Sequence, residues 1–506
     1  MLGGPSSIKS VFGLNKTAWS SGSRTLAAST KSRRYKSTKN YETERDNDGT
    51  FEYKMDEFQK LLIYGQRAKT RLLTPYFTLN SKKPLPSDVV QKAMQHVHRK
   101  CPTLHFTAKE RDGELWWYKP HKMNLDFQVL EKEISMYDAI EIAQREGIDD
   151  ANENWKVRFK QAAEDDPCLL PEVKREYPHQ SYIMIIYNHA CSDGITSSRV
   201  AQTYFDVINA LIEGDTIHDD VPIGEYISNV EIERAYKIRK ENILKDPKYL
   251  EEMKTEVTKA EKTPLLIRTF PRPEATTPVT MHQMLEMSKD IMLRFTENCK
   301  INGVTSGTGF QNIVNTALIE LAQDGGAKED YFDMSVNVPV DLRRYMTQRD
   351  MPILGAHTRP MTSFITMAKD VRDDFWKNCQ EVQFINNNLL KSGAVIDQTL
   401  VKQLFFQGTP AHEFFNSLPA LTKDYGYSNM GTFDKVITGH GKHVQVTGLE
   451  QYQSTQHFIY PFFVCYYKFR GNFYLEINYA TDSVTEDTAQ HLCDKIKFLI
   501  MKYSAK

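Results

Sequence analysis

The sequence predicts an α/β protein built from more than one domain. Helix patterns alternate with strand patterns along most of the chain, and neither type forms a long run of its own. At 506 residues the chain exceeds what one hydrophobic core usually organises, so two or three domains are expected. No repeat with a period of about 20 to 50 residues is visible, which argues against a solenoid or a propeller.

The N-terminal part predicts a helix, a strand, a second helix and a hairpin, in that order. Apolar residues recur three and four positions apart in residues 51–71, which indicates a helix with one buried face. Residues 75–80 have a strand pattern, and residues 84–100 combine a helix start signal with an apolar stripe. Residues 104–120 predict a hairpin that turns at an Asp-Gly dipeptide.

The middle and the second half continue this alternation. Residues 181–188 have an apolar strand pattern, and an amphipathic helix pattern begins at Gly194. Residues 215–275 are highly charged and then rich in proline and threonine, which indicates a connection between two halves. The patterns of the second half predict two helices in 284–323, a strand that ends at Pro339, a helical region over 364–393, a hairpin turned at Gly471 and Asn472, and a last helix over 485–502.

Composition narrows the classes of partner and cofactor. With 40% hydrophobic and 25% charged residues the chain is typical of globular proteins, and its formal charge of −1 argues against nucleic acid as a partner. No segment reaches the roughly 18 to 20 apolar residues that a membrane-spanning helix needs. The seven cysteines are scattered without a CxxC pair, so neither a disulfide framework nor a zinc site is expected. Small molecules or other proteins are the expected partners.

The N-terminal leader has a different composition from the rest. Residues 1–41 contain no Asp or Glu, but they contain eight Lys and Arg among many Ser and Thr. This composition predicts a mitochondrial transit peptide over residues 1–40 and a mature protein in the matrix. A basic tail without a targeting role is the alternative interpretation.

The strongest candidate for chemistry is the stretch SYIMIIYNHACSDG at 181–194, where an apolar strand stops at His189. A neutral histidine held at the end of a rigid strand is suited to act as a general base. Asp193 can brace the following loop, and Gly194 allows a tight turn or the close approach of a ligand. A hydrogen-bonded structural histidine is the alternative. Cys191 invites a Cys–His nucleophile, but nothing near it in the sequence lowers its pKa.

The same stretch resembles the HxxxDG signature of the CoA-dependent acyltransferase superfamily, the chloramphenicol acetyltransferase-like proteins. The segments YGQRAKTRLLTPYFTLN, HVHRKCPTLHF, VTSGTGFQNIVNTALIELA, VNVPVDLRRYM and YGYSNMG resemble further parts of its alcohol acetyltransferase branch in the same order. The DFGWG motif of the plant branch is absent from the sequence. Asn188 stands where condensation domains have a second histidine. Both differences favour the alcohol acetyltransferase branch and free acyl-CoA over carrier-bound substrates.

The resemblance implies two similar halves, each a mixed sheet flanked by helices, with an active-site tunnel between them. With the connection at 215–275, the halves would occupy residues 41–214 and 276–506. His189 would be the general base, and Asp193 would shape the site, with Arg343 as its candidate partner. Ser428 and Asn429 would line the tunnel.

The implied activity is transfer of a short acyl group, most plausibly acetyl, from acyl-CoA to an alcohol or an amine. Acyl-CoA would be a co-substrate, and no metal or permanently bound cofactor is expected. A catalytically inactive protein of this fold that binds a partner or a lipid is the alternative. Hydrolysis of the thioester, with water as acceptor, is a third possibility.

Overall fold

The computed structural model describes residues 45–46, 48–163, 166, 170–227, 230–273, 278–285, 287–347, 349–405, 412–413, 415, 420–456 and 458–505. Residues Glu44–Lys506 form one compact unit. The predicted transit peptide, residues 1–40, lies outside the described residues.

The described helices are α1 (Glu57–Arg67), α2 (Ser87–Lys100), α3 (Met136–Glu146), α4 (Pro171–Lys174), α5 (Gly194–Glu213), α6 (Val230–Lys245), α7 (Pro247–Ala260), α8 (Leu265–Thr269), α9 (Lys289–Ile301), α10 (Ser306–Asp324), α11 (Phe375–Ser392), α12 (Ala394–Phe405) and α13 (Glu486–Ser504). The described strands are β1 (Arg45–Asp46), β2 (Gly49–Lys54), β3 (Leu73–Ser81), β4 (Thr107–Arg111), β5 (Glu114–Pro120), β6 (Asp126–Val129), β7 (Trp155–Gln161), β8 (His179–Tyr187), β9 (Glu225–Tyr226), β10 (Thr280–Met284), β11 (Tyr331–Asp341), β12 (Ile353–Leu354), β13 (Thr358–Ala368), β14 (Tyr425–Thr432), β15 (Val444–Gln453), β16 (Phe462–Phe469) and β17 (Asn472–Ala480).

Two mixed sheets organise the molecule into an N-terminal and a C-terminal lobe. The N-terminal sheet has the order β15-β3-β8-β7-β6, and only its β6 and β7 are parallel neighbours. The C-terminal sheet has the order β10-β17-β16-β14-β11-β13, and β14 is parallel to both of its neighbours. A four-stranded sheet, β1-β2-β5-β4, and the short pair β12-β9 complete the strand pairing.

The continuous apolar run of β8 is explained by burial on both faces. Ile183 and Ile185 belong to a core that includes α2 and α5, whereas Met184 and Ile186 pack with α3 on the other face. A strand covered on both sides needs no polar alternation. β8 is therefore a rigid central element, and the loop with His189 begins directly after it.

One strand crosses from the second half of the chain into the N-terminal sheet. β15 pairs antiparallel with β3, from Val444 opposite Ser81 to Gln453 opposite Leu73. The predicted halves, residues 41–214 and 276–506, therefore share this sheet. Nothing in the local pattern of β15 specifies a partner more than 350 residues away, so sequence periodicity could not reveal the crossing.

The charged connection at 215–275 is folded onto the C-terminal lobe. Its helices α6 and α7 pack against α12, and α8 packs against α10. An ion pair with an Nζ–Oε1 distance of 2.8 Å joins the buried Lys423 to the half-buried Glu261. The backbone N–H of Leu265 donates to Asp424.

Several details of the predicted elements were wrong. Residues 51–54, at the start of the first predicted helix, belong to β2, and α1 begins only at Glu57. The residues at 364–368 belong to β13, and the helix α11 begins only at Phe375, because a short apolar run suits a strand as well as a helix. β11 continues past Pro339 to Asp341, since Pro339 lies opposite Pro360 and neither residue has an N–H to leave unpaired. The C-terminal hairpin turns at Arg470 and Gly471, whose φ angles of 50° and 74° fit a two-residue turn.

Candidate active site

A cavity of about 630 Å³ is lined by residues of both lobes. It lies where β11 and β14 stop pairing. Their ladder has only the positions Val336–Tyr425 and Asn337–Gly426, and the residues that follow in both strands line the cavity. The N-terminal lobe contributes His189, the residue with the most versatile proton chemistry among those that line it.

His189 is half-buried and held in one tautomer by the backbone. Its Nδ1 lies 2.9 Å from the carbonyl oxygen of Ser192. A carbonyl can only accept, so Nδ1 carries the proton and Nε2 is left as the basic nitrogen. Burial lowers the pKa of His189, and the charge of Arg71 lowers it further, against the raising effects of Asp193 and the Ser192 carbonyl. The imidazole is therefore neutral near pH 7.

Asp193 is a fully buried brace, and its carboxylate has four partners. Arg343 donates to it through Nη1 at 2.7 Å and Nη2 at 3.1 Å. The backbone N–H groups of Thr196 and His357 donate at 3.0 and 2.9 Å, and the Thr358 hydroxyl donates at 3.2 Å. Although burial alone would raise the pKa of Asp193, the Arg343 charge and these hydrogen bonds hold it at about 2. This carboxylate does not accept a proton near neutral pH.

Arg343 lies behind the cavity lining and connects the two lobes. Besides Asp193, its guanidinium donates to Asp341 at 3.0 Å and to the carbonyls of Ile353 and Gly355, both at 2.9 Å. Thr196, in the first turn of α5, adds a reciprocal pair: its hydroxyl donates to the Gly355 carbonyl and accepts from the Gly355 N–H. The start of α5 is thereby fixed to the C-terminal lobe at several points.

The other residues predicted for the site also line the cavity. Gly194 is the first residue of α5, and a Cβ there would lie 3.1 Å from Cε, the flexible end of the Met430 side chain on β14. Ser428 is half-buried and Asn429 is exposed on β14. The Asn429 amide lies directly against Gly307 at the start of α10, where a Cβ would be 1.9 Å from its Nδ2.

Sequence reasoning missed the support beneath His189. Asn188 is fully buried, and its amide donates to Asn154 at 2.8 Å while its side-chain oxygen accepts from the Ala190 N–H at 3.0 Å. Asn154 in turn donates to the Thr103 carbonyl at 3.2 Å. The break in the apolar run at Asn188 was the one available signal, since a buried amide must find partners.

Cys191 is unsuited to act as the nucleophile. It is buried, its thiol donates to the Asn188 carbonyl at 3.1 Å, and burial raises its pKa well above the ordinary value. A nucleophilic cysteine needs a lowered pKa and access to the substrate.

Among the described residues, no group of three His, Cys, Asp or Glu side chains is arranged to hold a metal ion. None of the helices in this part of the chain is long and apolar enough to cross a bilayer.

The fold recurs in solved structures of low sequence identity. No protein-family model matches the sequence. No curated protein matches it either. The trichothecene 15-O-acetyltransferase TRI3 of Fusarium sporotrichioides superimposes with a TM-score of 0.65 at 13% identity, over 89% of this chain and 94% of that one.

Two condensation domains match over similar lengths. The first condensation domain of the calcium-dependent antibiotic synthetase, solved with a substrate analogue, gives a TM-score of 0.63 at 11% identity and covers 91% of this chain and 98% of its own. The starter condensation domain of rhizomide synthetase RzmA, in a variant solved with C8-CoA and Leu-SNAC, gives 0.58 at 13% identity over 90% and 94%. The predicted fold class is thus confirmed: the chain has the two-lobed α/β fold that is also found in this acetyltransferase and in these condensation domains.

Proposed function

We propose that the protein transfers a short acyl group, most plausibly acetyl, from acyl-CoA to a hydroxyl or amino group of a small acceptor, as in the alcohol acetyltransferase branch. The observation that carries this proposal is His189, neutral and held in one tautomer, at the wall of a cavity between two lobes. A cavity that is lined by both lobes can admit two substrates from different sides.

In the proposed reaction His189 is the general base. Its Nε2 takes the proton of the acceptor hydroxyl as the acceptor oxygen attacks the thioester carbonyl. The tetrahedral intermediate then expels CoA as the carbon–sulfur bond breaks. The protonated imidazole returns the proton to the CoA thiolate, so the products are the ester and CoA–SH, and His189 is neutral again.

Asp193 and Arg343 act as positioning residues in this mechanism. A carboxylate whose pKa is about 2, and which is already bound to Arg343, does not relay a proton at neutral pH. Its bonds to Thr196, His357 and Thr358 fix the loop on which His189 stands. Loss of Asp193 should therefore disturb the geometry and not the supply of protons.

The test is a screen of alcohols and amines with acetyl-CoA, following both the release of free CoA and the acetylated product. Because a positioned general base contributes about 10²- to 10⁴-fold, His189→Ala should lower kcat by that factor. His96→Ala is the matched control, since His96 lies on α2 outside the cavity lining and binds Asp219. Equal rates for wild type and His189→Ala would refute the mechanism. CoA release without an acceptor would indicate a hydrolase.

A melting temperature that rises with acetyl-CoA, without any transfer, would favour the inactive, ligand-binding alternative.

The leader composition supports a second proposal, that the mature enzyme works in the mitochondrial matrix. A fluorescent fusion of residues 1–40 should enter mitochondria, and the same fusion with the eight basic residues changed to Ser should stay outside. Retention of both fusions outside mitochondria would contradict it.

A further inference from the structure

Three carboxamide side chains of the C-terminal lobe line the cavity and have no part in the proposed mechanism. Gln311 lies on α10, Asn386 lies on α11, and Asn337 lies on β11 at the last position where that strand pairs with β14. The fold thus brings amides from three different elements to one cavity. Because a buried amide is costly unless its donors and acceptors are paired, the pairing of these groups indicates what the cavity can bind.

Gln311 and Asn386 form a pair whose position is fixed by the surrounding elements. The Asn386 Nδ2 donates to the Gln311 Oε1 at 2.9 Å. The Tyr425 hydroxyl on β14 donates to the Gln311 carbonyl at 3.0 Å. Asn312, the next residue of α10, donates to the carbonyl of Phe375 at the start of α11 at 3.1 Å. These bonds hold α10, α11 and β14 together, so the amide pair is preorganised for a ligand.

Two of the carboxamide oxygens lack a hydrogen-bond donor. The Oδ1 atoms of Asn337 and Asn386 are buried, and they accept no hydrogen bond from the residues that the structure describes. A buried polar atom left in this state costs about 1 to 3 kcal/mol. Gln311 adds the donor Nε2, because the bond from Asn386 uses only its Oε1. Since all three residues line the cavity, a ligand in the cavity can supply the missing partners.

The chemistry of the amide pair favours a neutral hydroxyl as the group that it binds. No charged side chain is among the described hydrogen-bond partners of these amides, so a charged ligand group would find no opposite charge in direct contact with them. A hydroxyl donates and accepts at one oxygen, so it can serve the Asn386 Oδ1 and the Gln311 Nε2 together. A trans amide, as in the pantetheine arm of CoA, presents its N–H and its C=O on opposite sides and does not offer both at one point.

We propose that the acceptor carries a second, non-reacting hydroxyl, which binds to Gln311 and Asn386 while the reacting hydroxyl gives its proton to His189. This inference rests on the proposed acyl transfer and narrows its acceptor to diols and polyols. The acetyl group moves to the reacting oxygen, and the proton passes from His189 to the CoA thiolate. The products are the monoester and CoA–SH, and the second hydroxyl is unchanged.

The experiment compares diols with alcohols of matched shape. Acetyl-CoA is supplied with α,ω-diols of about three to eight carbons, and each diol is paired with the primary alcohol in which a methyl group replaces one hydroxyl. A diol gains a factor of about two from its equivalent ends. At the best-fitting length, wild type should prefer the diol in kcat/KM by about 10- to 100-fold beyond this factor, because the alcohol leaves the buried amides unpaired. The absence of such a preference at every length overturns the proposal.

Variants of the amide pair test whether these residues cause the preference. Asn386→Leu and Gln311→Met keep the approximate shape and remove the polar groups, so each should reduce the preference to about the factor of two. Asn388→Leu, on the same helix but outside the lining, is the matched control and should leave the preference unchanged. A preference that survives in Asn386→Leu overturns the proposal. A raised KM for acetyl-CoA in that variant would then assign the amides to the CoA arm.

The failure of this inference can be told from the failure of acyl transfer itself. If simple alcohols are acylated in a His189-dependent way and diols are not preferred, the transferase stands and the diol site does not. If no acyl group is transferred at all, the melting temperature gives the answer. A larger rise with a diol than with its matched alcohol, lost in Asn386→Leu, supports the site, and an equal rise overturns it.

Discussion

Replacing Arg343 by methionine should destabilise the protein far more than loss of an ordinary ion pair. Asp193 is 1% exposed, and without Arg343 its carboxylate would stay buried beside only neutral donors. Removing one partner of a buried pair typically costs about 3 to 5 kcal/mol. The drop in the pKa of Asp193 from 3.8 to about 2 corresponds independently to about 2 kcal/mol of stabilisation at pH 7.

The destabilisation caused by Arg343→Met should depend on pH, and it should be smaller at acidic pH. In wild type the pKa of Asp193 lies below its unfolded value, so its stabilisation is present above pH 4 and is lost as pH falls toward about 2. In Arg343→Met the dominant remaining influence is burial, which raises that pKa above the unfolded value. The variant can then relieve its buried charge by binding a proton, and the deficit relative to wild type should shrink between pH 7 and pH 4.5.

Urea unfolding of both proteins across this pH range measures the effect. Asp193→Asn/Arg343→Met should be more stable at pH 7 than Arg343→Met alone, because no buried charge remains. Arg268→Met is the matched control: its pair with Glu329 is about 42% exposed on both sides and should be worth less than about 1 kcal/mol. A deficit for Arg343→Met that is equally small, or that does not change with pH, would refute the reasoning.

Three further results are expected. The acidic limb of the kcat/KM profile should lie below pH 6.5, because burial lowers the pKa of His189 and activity is lost only when this base becomes protonated. A midpoint at or above pH 6.5 would contradict the role of His189 as a base with a lowered pKa. Cys191→Ala should keep kcat within a few-fold of wild type, because the buried thiol is not a nucleophile. Loss of activity in a folded variant would instead favour Cys191 as the nucleophile. Asn154→Ala should lower kcat more than it changes KM, because it removes the acceptor of the Asn188 amide, which supports the His189 loop. An unchanged kcat would mean that Asn154 contributes to folding alone.

The sequence revealed those parts of the site that are close together along the chain. A strand, a histidine, an aspartate four residues later and the start of a helix lie within fourteen positions, and each has a local signal. The Asp193 side chain caps α5 by accepting from Thr196, a contact that depends only on a spacing of three. Local chemistry of this kind is visible before any fold is known.

Contacts across long stretches of chain were not visible in the same way. Arg343 was identified only by its place in a resemblance, and its bond to Asp193 spans 150 residues. His357 and Thr358 complete the carboxylate's set of donors, yet no sequence pattern predicts that the start of β13 and the residue before it pass this point. Asn188 was interpreted as an indicator of substrate type, but it faces Asn154 beneath the loop and does not line the cavity. The contrast with the second histidine of condensation domains drew attention to Asn188. It did not indicate that Asn188 supports the loop through Asn154.

The way the lobes are joined bears on how substrates reach His189. Asp193 and Arg343 connect the lobes on one side of the cavity, and β15, whose residues Gln451 and Gln453 line it, continues the N-terminal sheet from the C-terminal half of the chain. Separating the lobes would break a buried ion pair and pull on a full-length strand ladder, at a cost of several kcal/mol. Turnover should therefore proceed without opening of the lobes. Substrates would instead reach His189 with the lobes in this arrangement, so the cavity of about 630 Å³ would set an upper limit on the size of the acceptor.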